Sequence, residues 1–335
     1  MTGQAQTRAS HAPRPSRRRW RRAVVALGAA VILLALLAAA LLPRSGDPLA
    51  ALPRGADLGS ADLGAAAVTE TLHEDGRVIR RYTIADPVLG AIGFVVSLPD
   101  PLPAGPMPVV VVLGGLGTGL KNIRHVPPAG DNVLVGYDWP IPRKFPKGLD
   151  LVRDLPELYR GAFSVPGQIA AAVDWVAAQA WADPARVSLL GFSLGAIAAP
   201  AAQRLLEARD REVGWTVLAY GGAELGALVA HHPRVSPKAA APLLGRLAGW
   251  LFRPLEPARH LPHLSGRFLV IGGREDGLVP ERSARLMREL APEPKTLRLL
   301  DGQHMGVGRG QEALLREILG ITEAWLVAQG AVNPI

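Results

Sequence analysis

The sequence predicts an α/β domain: a mostly parallel, eight-stranded sheet with helices on both faces, preceded by one N-terminal transmembrane helix. Three observations carry this. Strand and helix signals alternate from about Val68 to the C-terminus. "PVVVVLGG" (Pro108–Gly115) is an unbroken β-branched run, as expected of a strand buried on both faces. The 20 residues Ala23–Leu42 contain no charged or strongly polar side chain.

Taken in order, the chain opens with a basic tail. Residues 1–22 hold seven arginines and no acid, ending in "RRRWRR" (Arg17–Arg22). At about 1.5 Å per residue, the apolar run that follows spans about 30 Å, the hydrocarbon thickness of a bilayer. The positive-inside rule then places 1–22 in the cytoplasm and the rest, from about residue 43, outside. A cleaved export signal is the alternative, with "AAA" at 38–40 as a cleavage site and "SRRRW" resembling a twin-arginine signal. Both readings export the body, and the anchor makes the lipid bilayer a partner.

The net charge of +8 belongs to this tail, since beyond residue 22 there are 30 basic and 29 acidic side chains. So balanced a body speaks against a nucleic-acid surface. The absence of cysteine excludes disulfides, a thiol nucleophile, a Cys-based zinc site and a lipid-modified cysteine. Residues 43–67, rich in Ala, Gly and Pro and repeating "ADLG", read as a flexible linker. The domain then occupies 68–335.

Within it, "RVIRRYTIA" and "AIGFVVSLP" read as early strands around a turn at Asp86–Gly90, followed by "PVVVV" and "NVLVGYDWP". "VPGQIAAAVDWVAAQA" (Val165–Ala180) reads as a helix with Pro166 at its start. The "RVSLLGFS" strand, the "LGAIAAPAAQRLLEA" helix and the "GWTVLAYGG" strand come next. The chain closes with "GRFLVIGGRED" and "KTLRLLDGQH" as strands, "PERSARLMREL" as a helix between them, and a last amphipathic helix. Residues 224–264 break the rhythm. They read either as a crossover helix with Pro-rich ends or as a lid. His231, His232, His260 and His263 fall there at spacings poor for zinc, and read as surface or packing residues.

A nucleophilic serine needs a base, an acid that orients the base, and donors for the oxyanion. Ser193 sits where a strand turns into a helix, with Gly191 and Gly195 two residues away on either side, as a tight elbow requires. Leu194 N–H, at the helix start, is a candidate oxyanion donor. The second donor is expected from "LGGLGTG" (Leu113–Gly119), with Gly115 ahead of Leu116; this loop lacks the Gly-Lys-Ser/Thr ending of a phosphate-binding loop. Asp276 follows the "RFLVIGG" strand, with Glu275 as its neighbouring alternative. His304 follows "KTLRLLDGQ", where Asp301 reads as a turn former. Tyr137, Trp139, Trp250 and Phe252 are candidate pocket residues.

The order Ser193, Asp276, His304 and the stretch "AAAVDWVAAQAWADPARVSLLGFSLGA" resemble the α/β-hydrolase superfamily, in particular its dienelactone-hydrolase-like and prolyl-oligopeptidase-like branch. The resemblance implies hydrolysis of a small-molecule ester or acyl substrate through an acyl-serine, without a cofactor or metal. An acyltransferase or thioesterase on the same residues, and a tethered binding protein on a silent hydrolase fold, are the alternatives. Two departures stand out. Leu113 replaces the usual histidine of the glycine loop, and Pro200 in the helix after Ser193 predicts a kink.

Overall fold

In the computed structural model, which describes residues 46–55, 66–115, 118–126, 129–141, 149–306 and 311–334, the alternating signals become one sheet. Its elements run β1 (Ala66–Glu74), β2 (Arg77–Asp86), β3 (Gly90–Pro99), β4 (Met107–Leu113), α1 (Gly119–Ile123), β5 (Val133–Tyr137), α2 (Leu149–Ala177), β6 (Ala182–Phe192) and α3 (Leu194–Glu207). The second half adds β7 (Trp215–Ala219), α4 (Leu225–His231), α5 (Ala241–Leu251), β8 (Arg267–Gly273), α6 (Glu281–Leu290), β9 (Lys295–Leu300) and α7 (Glu312–Ala328). The strand order is β1-β2-β3-β5-β4-β6-β7-β8-β9. β1, β2 and β3 meet their neighbours antiparallel, while β4 to β9 and β5 are mutually parallel.

The β-branched run explains the layering. Along β4, Val109, Val111 and Leu113 join one core, with Ile169 of α2, Ala199 and Leu205 of α3 and Met287 of α6. Val110 and Val112 join the other, with Ile123 of α1 and Ile318 and Leu326 of α7. Period-two alternation thus feeds two helix layers from one apolar strand.

Three expectations are corrected. The described sheet has nine strands, not eight. The extra strand, β1, lies at the edge, where "TETLH" is exposed or half-exposed and lacks an apolar alternation. Helix α2 begins at Leu149 rather than Val165 and carries Pro156 and Pro166 inside it, so Pro166 does not mark a start. Finally, residues 46–55 of the predicted linker pack on the domain. Leu49 and Leu52 are buried in the first core, and Asp47 pairs with Arg204 of α3 at 2.9 Å. The tail 1–22 and the apolar run 23–42 lie outside the described residues. Among the described ones no helix is long and apolar enough to cross a membrane. Pro200 lies buried inside α3, which continues through it from Leu194 to Glu207.

The insert folds as two short helices, α4 and α5, followed by three 3-10 turns between Arg253 and His263. His260 is fully buried there. Its Nε2 donates to the Pro254 carbonyl at 2.8 Å, and among the described residues its Nδ1 has no partner. Burial pushes its pKa down to about 4, against a smaller upward pull from the Pro254 bond. The unfolded chain takes up this proton near 6.5, the folded one only near 4. Stability therefore falls as pH drops from about 6.5 to about 4, by about 3 kcal/mol from this group. Urea unfolding at neutral pH and at about pH 4 is expected to show that loss in the wild type and a much smaller one in His260→Leu. An unchanged pH slope in the variant would refute the assignment.

Candidate active site

The site begins with a backbone constraint. β6 is buried along its C-terminal half, and α3 starts one residue after it ends. Ser193 alone makes the turn, at φ 53° and ψ −111°, a sparsely populated conformation for a side-chain-bearing residue. Its N–H donates to the Ala219 carbonyl of β7 at 2.8 Å, which fixes the turn to the neighbouring strand. The flanking glycines are steric necessities. A Cβ on Gly191 would stand 2.7 Å from the Ala196 Cα, and one on Gly195 would land on the Leu113 carbonyl of β4.

The turn lifts the Ser193 hydroxyl to within 2.9 Å of His304 Nε2. His304 follows β9, and its Nδ1 lies 2.8 Å from Asp276 Oδ2, in the turn after β8. A carboxylate only accepts, so Nδ1 carries the proton and Nε2 is left as the acceptor for the serine hydroxyl. Asp276 Oδ1 accepts from the N–H groups of Leu278 and Val279 at 2.9 and 3.0 Å. Burial raises the Asp276 pKa. The bonds from His304, Val279 and Leu278 outweigh burial, so the carboxyl is held below its ordinary value and stays ionised. The His304 carbonyl accepts from Gln311 Nε2 at 3.1 Å. Glu275 is exposed, and Asp301, nearly fully exposed, pairs with Arg274. Neither forms part of this relay.

The predicted glycine loop leaves the sheet next to the Ser193 turn: Leu113, the last residue of β4, pairs with Gly191 of β6, so Gly115 lies two residues past the end of β4 at the same sheet edge. The Asn122 amide packs against Gly114, while Gly115 is exposed with open space around its Cα. Leu194 N–H opens α3. Leu116 lies outside the described residues.

One neighbour was not foreseen in the sequence. Tyr220 follows β7 at φ 56°, fully buried, with its ring at right angles to the His304 imidazole and 5.7 Å from it. Among the described residues its hydroxyl has no hydrogen-bond partner, and burial, with smaller contributions from Asp276 and Glu317, raises its pKa to about 12. The only sequence signal was an aromatic residue at a strand end, "AYGG", which is indistinguishable from core.

An apolar cavity of about 540 Å³ adjoins the turn. One wall is Leu194, Ile197 and Ala198 of α3 with Val165 of α2, and Trp139 also lines it. The insert supplies the other: Leu225, Leu228 and Val229 of α4, with Phe252 and Leu255. Of the four predicted pocket aromatics, Trp139 and Phe252 line this cavity. Tyr137 does not. It is fully buried in β5, with its hydroxyl on Gln168 Oε1 at 2.7 Å, because β5 is covered on both faces. Trp250 is not among the lining residues either. His232 lines the cavity, and burial, then Arg234 and Lys238, lowers its pKa. A second cavity, of about 390 Å³, is lined by His304, Gln303, Gln311 and Pro233 among others. Among the described residues no group of three or more His, Asp or Glu side chains is placed to hold a metal ion.

No family model matches the chain, and no curated protein matches it. Solved structures do. An acetyl xylan esterase from Paenibacillus sp. R4 is 17% identical with a TM-score of 0.56, covering 78% of this chain and 92% of its own. An esterase of Pyrobaculum calidifontis is 18% identical at 0.54, covering 82% and 90%. A carboxylesterase from Lactobacillus plantarum WCFS1 is 16% identical at 0.53, covering 77% and 99%. At these identities the likeness is one of fold, and the chain has the α/β-hydrolase fold.

The crowding at the turn makes a stability prediction. Gly195→Ala forces a side chain into the β4 backbone and is expected to cost at least about 1–3 kcal/mol. Gly115→Ala, where nothing among the described residues lies within 4 Å of the added Cβ, is expected to stay within about 0.5 kcal/mol of the wild type. Urea midpoints check both, and equal midpoints would contradict the geometry.

Proposed function

We propose that this protein hydrolyses carboxylic esters through an acyl-serine intermediate. The observation that carries the reading is the continuous relay from Asp276 through His304 to the Ser193 hydroxyl, with bonds of 2.8 and 2.9 Å. Esterases of the same fold support it. Ser193 Oγ attacks the ester carbonyl as its proton passes to His304 Nε2. The oxyanion so formed is held by Leu194 N–H and Gly115 N–H, both on the edge where Ser193 emerges. Collapse expels the alcohol, which takes its proton from His304, and water then repeats the sequence to release the acid. Asp276 keeps His304 in the required tautomer and balances the imidazolium. Every step uses groups of the chain itself, so the reaction asks for no cofactor.

The expected result is fluorophosphonate labelling of the wild type that is lost in Ser193→Ala, with ester turnover falling to background. Asp276→Asn should fold normally and lose roughly 10⁴-fold in kcat, because the amide favours the wrong tautomer. Labelling of Ser193→Ala would overturn the assignment.

We further propose that the domain works outside the cytoplasm, tethered by residues 23–42. The support is the arginine cluster followed by 20 apolar residues. Protease added to cells with a permeabilised outer layer is expected to degrade the domain. Full protection until the inner membrane is lysed would refute this placement.

A further inference from the structure

The two cavities beside Ser193 differ in chemistry, and one short segment divides them. His232 and Val235 line the apolar cavity, while Pro233, between them, lines the other. His231 bonds to the Gly277 carbonyl at 3.2 Å, pinning the segment beside Asp276. Residues 231–235 therefore form a partition. On one side lies a chamber of about 540 Å³ whose lining is apolar except for His232. On the other lies a cleft of about 390 Å³ that carries His304, Gln303 and Gln311.

Building on the ester-hydrolase reading, we propose that the chamber takes the acyl chain and the cleft takes the alcohol. The substrate class is then an ester of an apolar, chain-like carboxylic acid with a small hydroxylated alcohol. The argument is geometric. In the tetrahedral intermediate the carbonyl carbon carries four groups, and three are placed by the relay and its donors. Ser193 Oγ is one. The oxyanion faces Leu194 N–H. The leaving oxygen must lie at His304 Nε2, because that nitrogen returns the proton as the C–O bond breaks. His304 opens on the cleft, whose lining mixes Leu278, Met305 and Pro233 with the amides of Gln303 and Gln311, so the alcohol is placed there, on the less apolar of the two sides. The fourth group, the acyl chain, is left the space reached past Leu194, which is the apolar chamber. Transfer of the acyl group to Ser193 releases the alcohol, and water releases the free acid. Each methylene buried in the chamber is expected to raise kcat/KM about fourfold until the chamber is full.

The decisive comparison uses two esters that carry a twelve-carbon chain on opposite sides of the ester bond: glycerol monododecanoate, and dodecyl acetate. The first is expected to be turned over at least tenfold faster in kcat/KM. Equal rates, or preference for dodecyl acetate, overturn the assignment. Val229→Trp and Ala198→Phe narrow the chamber from its two walls. Each should lower the ratio of glycerol monododecanoate to glycerol monoacetate turnover at least tenfold, and a ratio unchanged in both variants also overturns it. Fluorophosphonate labelling of Ser193, measured on every protein, separates the outcomes. Absence of labelling in the wild type defeats the hydrolase reading itself, whereas labelling with the wrong ester preference defeats only the chamber assignment.

Discussion

The structure depends on one tight junction, the single residue between β6 and α3. A strand in the middle of the sheet ends, and a helix that must cover that same sheet begins immediately. Ser193 makes the turn at φ 53°, a conformation that costs of order 1–3 kcal/mol. It persists because the surroundings leave no other path. Gly191 and Gly195 let α3 touch the backbone of β4 and β6, and Ala196, Ala199, Ala201 and Ala202 bring the rest of the helix close, all of them buried. Ser193, like Leu194 beside it, is left only partly buried by this junction.

The rest of the site follows from parallel strands. β6, β7, β8 and β9 are consecutive neighbours in the sheet and point the same way, so the turns after them share one edge. The turn after β6 supplies Ser193, the turn after β8 supplies Asp276, and the loop after β9 supplies His304. β7 lies between them and contributes support rather than relay atoms: Ala219 accepts the Ser193 N–H, and Tyr220 packs against the imidazole. Among the described residues the Tyr220 hydroxyl finds no partner, and its ring meets the imidazole edge-on, by shape.

That logic also explains what the sequence could and could not reveal. Ser193 and Asp276 were legible because each follows an apolar run that a buried interior strand produces, and His304 because it comes just after the edge strand that follows them. β1 was not, because an edge strand exposed on both faces has no apolar period to read. The first half of α2 was hidden by two prolines, which signal a boundary in sequence but are tolerated here in a helix whose C-terminal half packs against the sheet. Leu49 and Leu52 were lost in an Ala- and Pro-rich stretch, and only tertiary contact shows them to be core. Tyr137 was misread for the opposite reason. An aromatic at the end of a strand looks like a site residue until the helix opposite it, through Gln168, is known. The elements that face the sheet on both sides wrote themselves into the sequence, whereas those that depend on one distant partner did not.

The insert is where fold and specificity part. The sheet edge places the reacting atoms, but α4 and α5 decide what lies beside them. They pack so closely that a Cβ on Gly226 would stand 2.6 Å from the Gly245 carbonyl. The Glu256 carboxylate holds α4 by accepting from the Glu224 and Leu225 N–H groups, each at 2.7 Å. Phe252 stacks near Phe163 of α2 at 6.1 Å, joining the insert to the body. So well-fixed a wall around an apolar space of about 540 Å³ needs a reason. An empty internal void of that size would cost on the order of 10 kcal/mol, as much as the whole stability of a typical domain. The chamber is therefore not a packing defect but a space open to solvent, and water against its apolar walls is poorly hydrogen-bonded. A chain-like apolar group displaces that water with a gain on both sides. On the proposed reading, the insert gives the sheet edge a preferred direction of substrate entry.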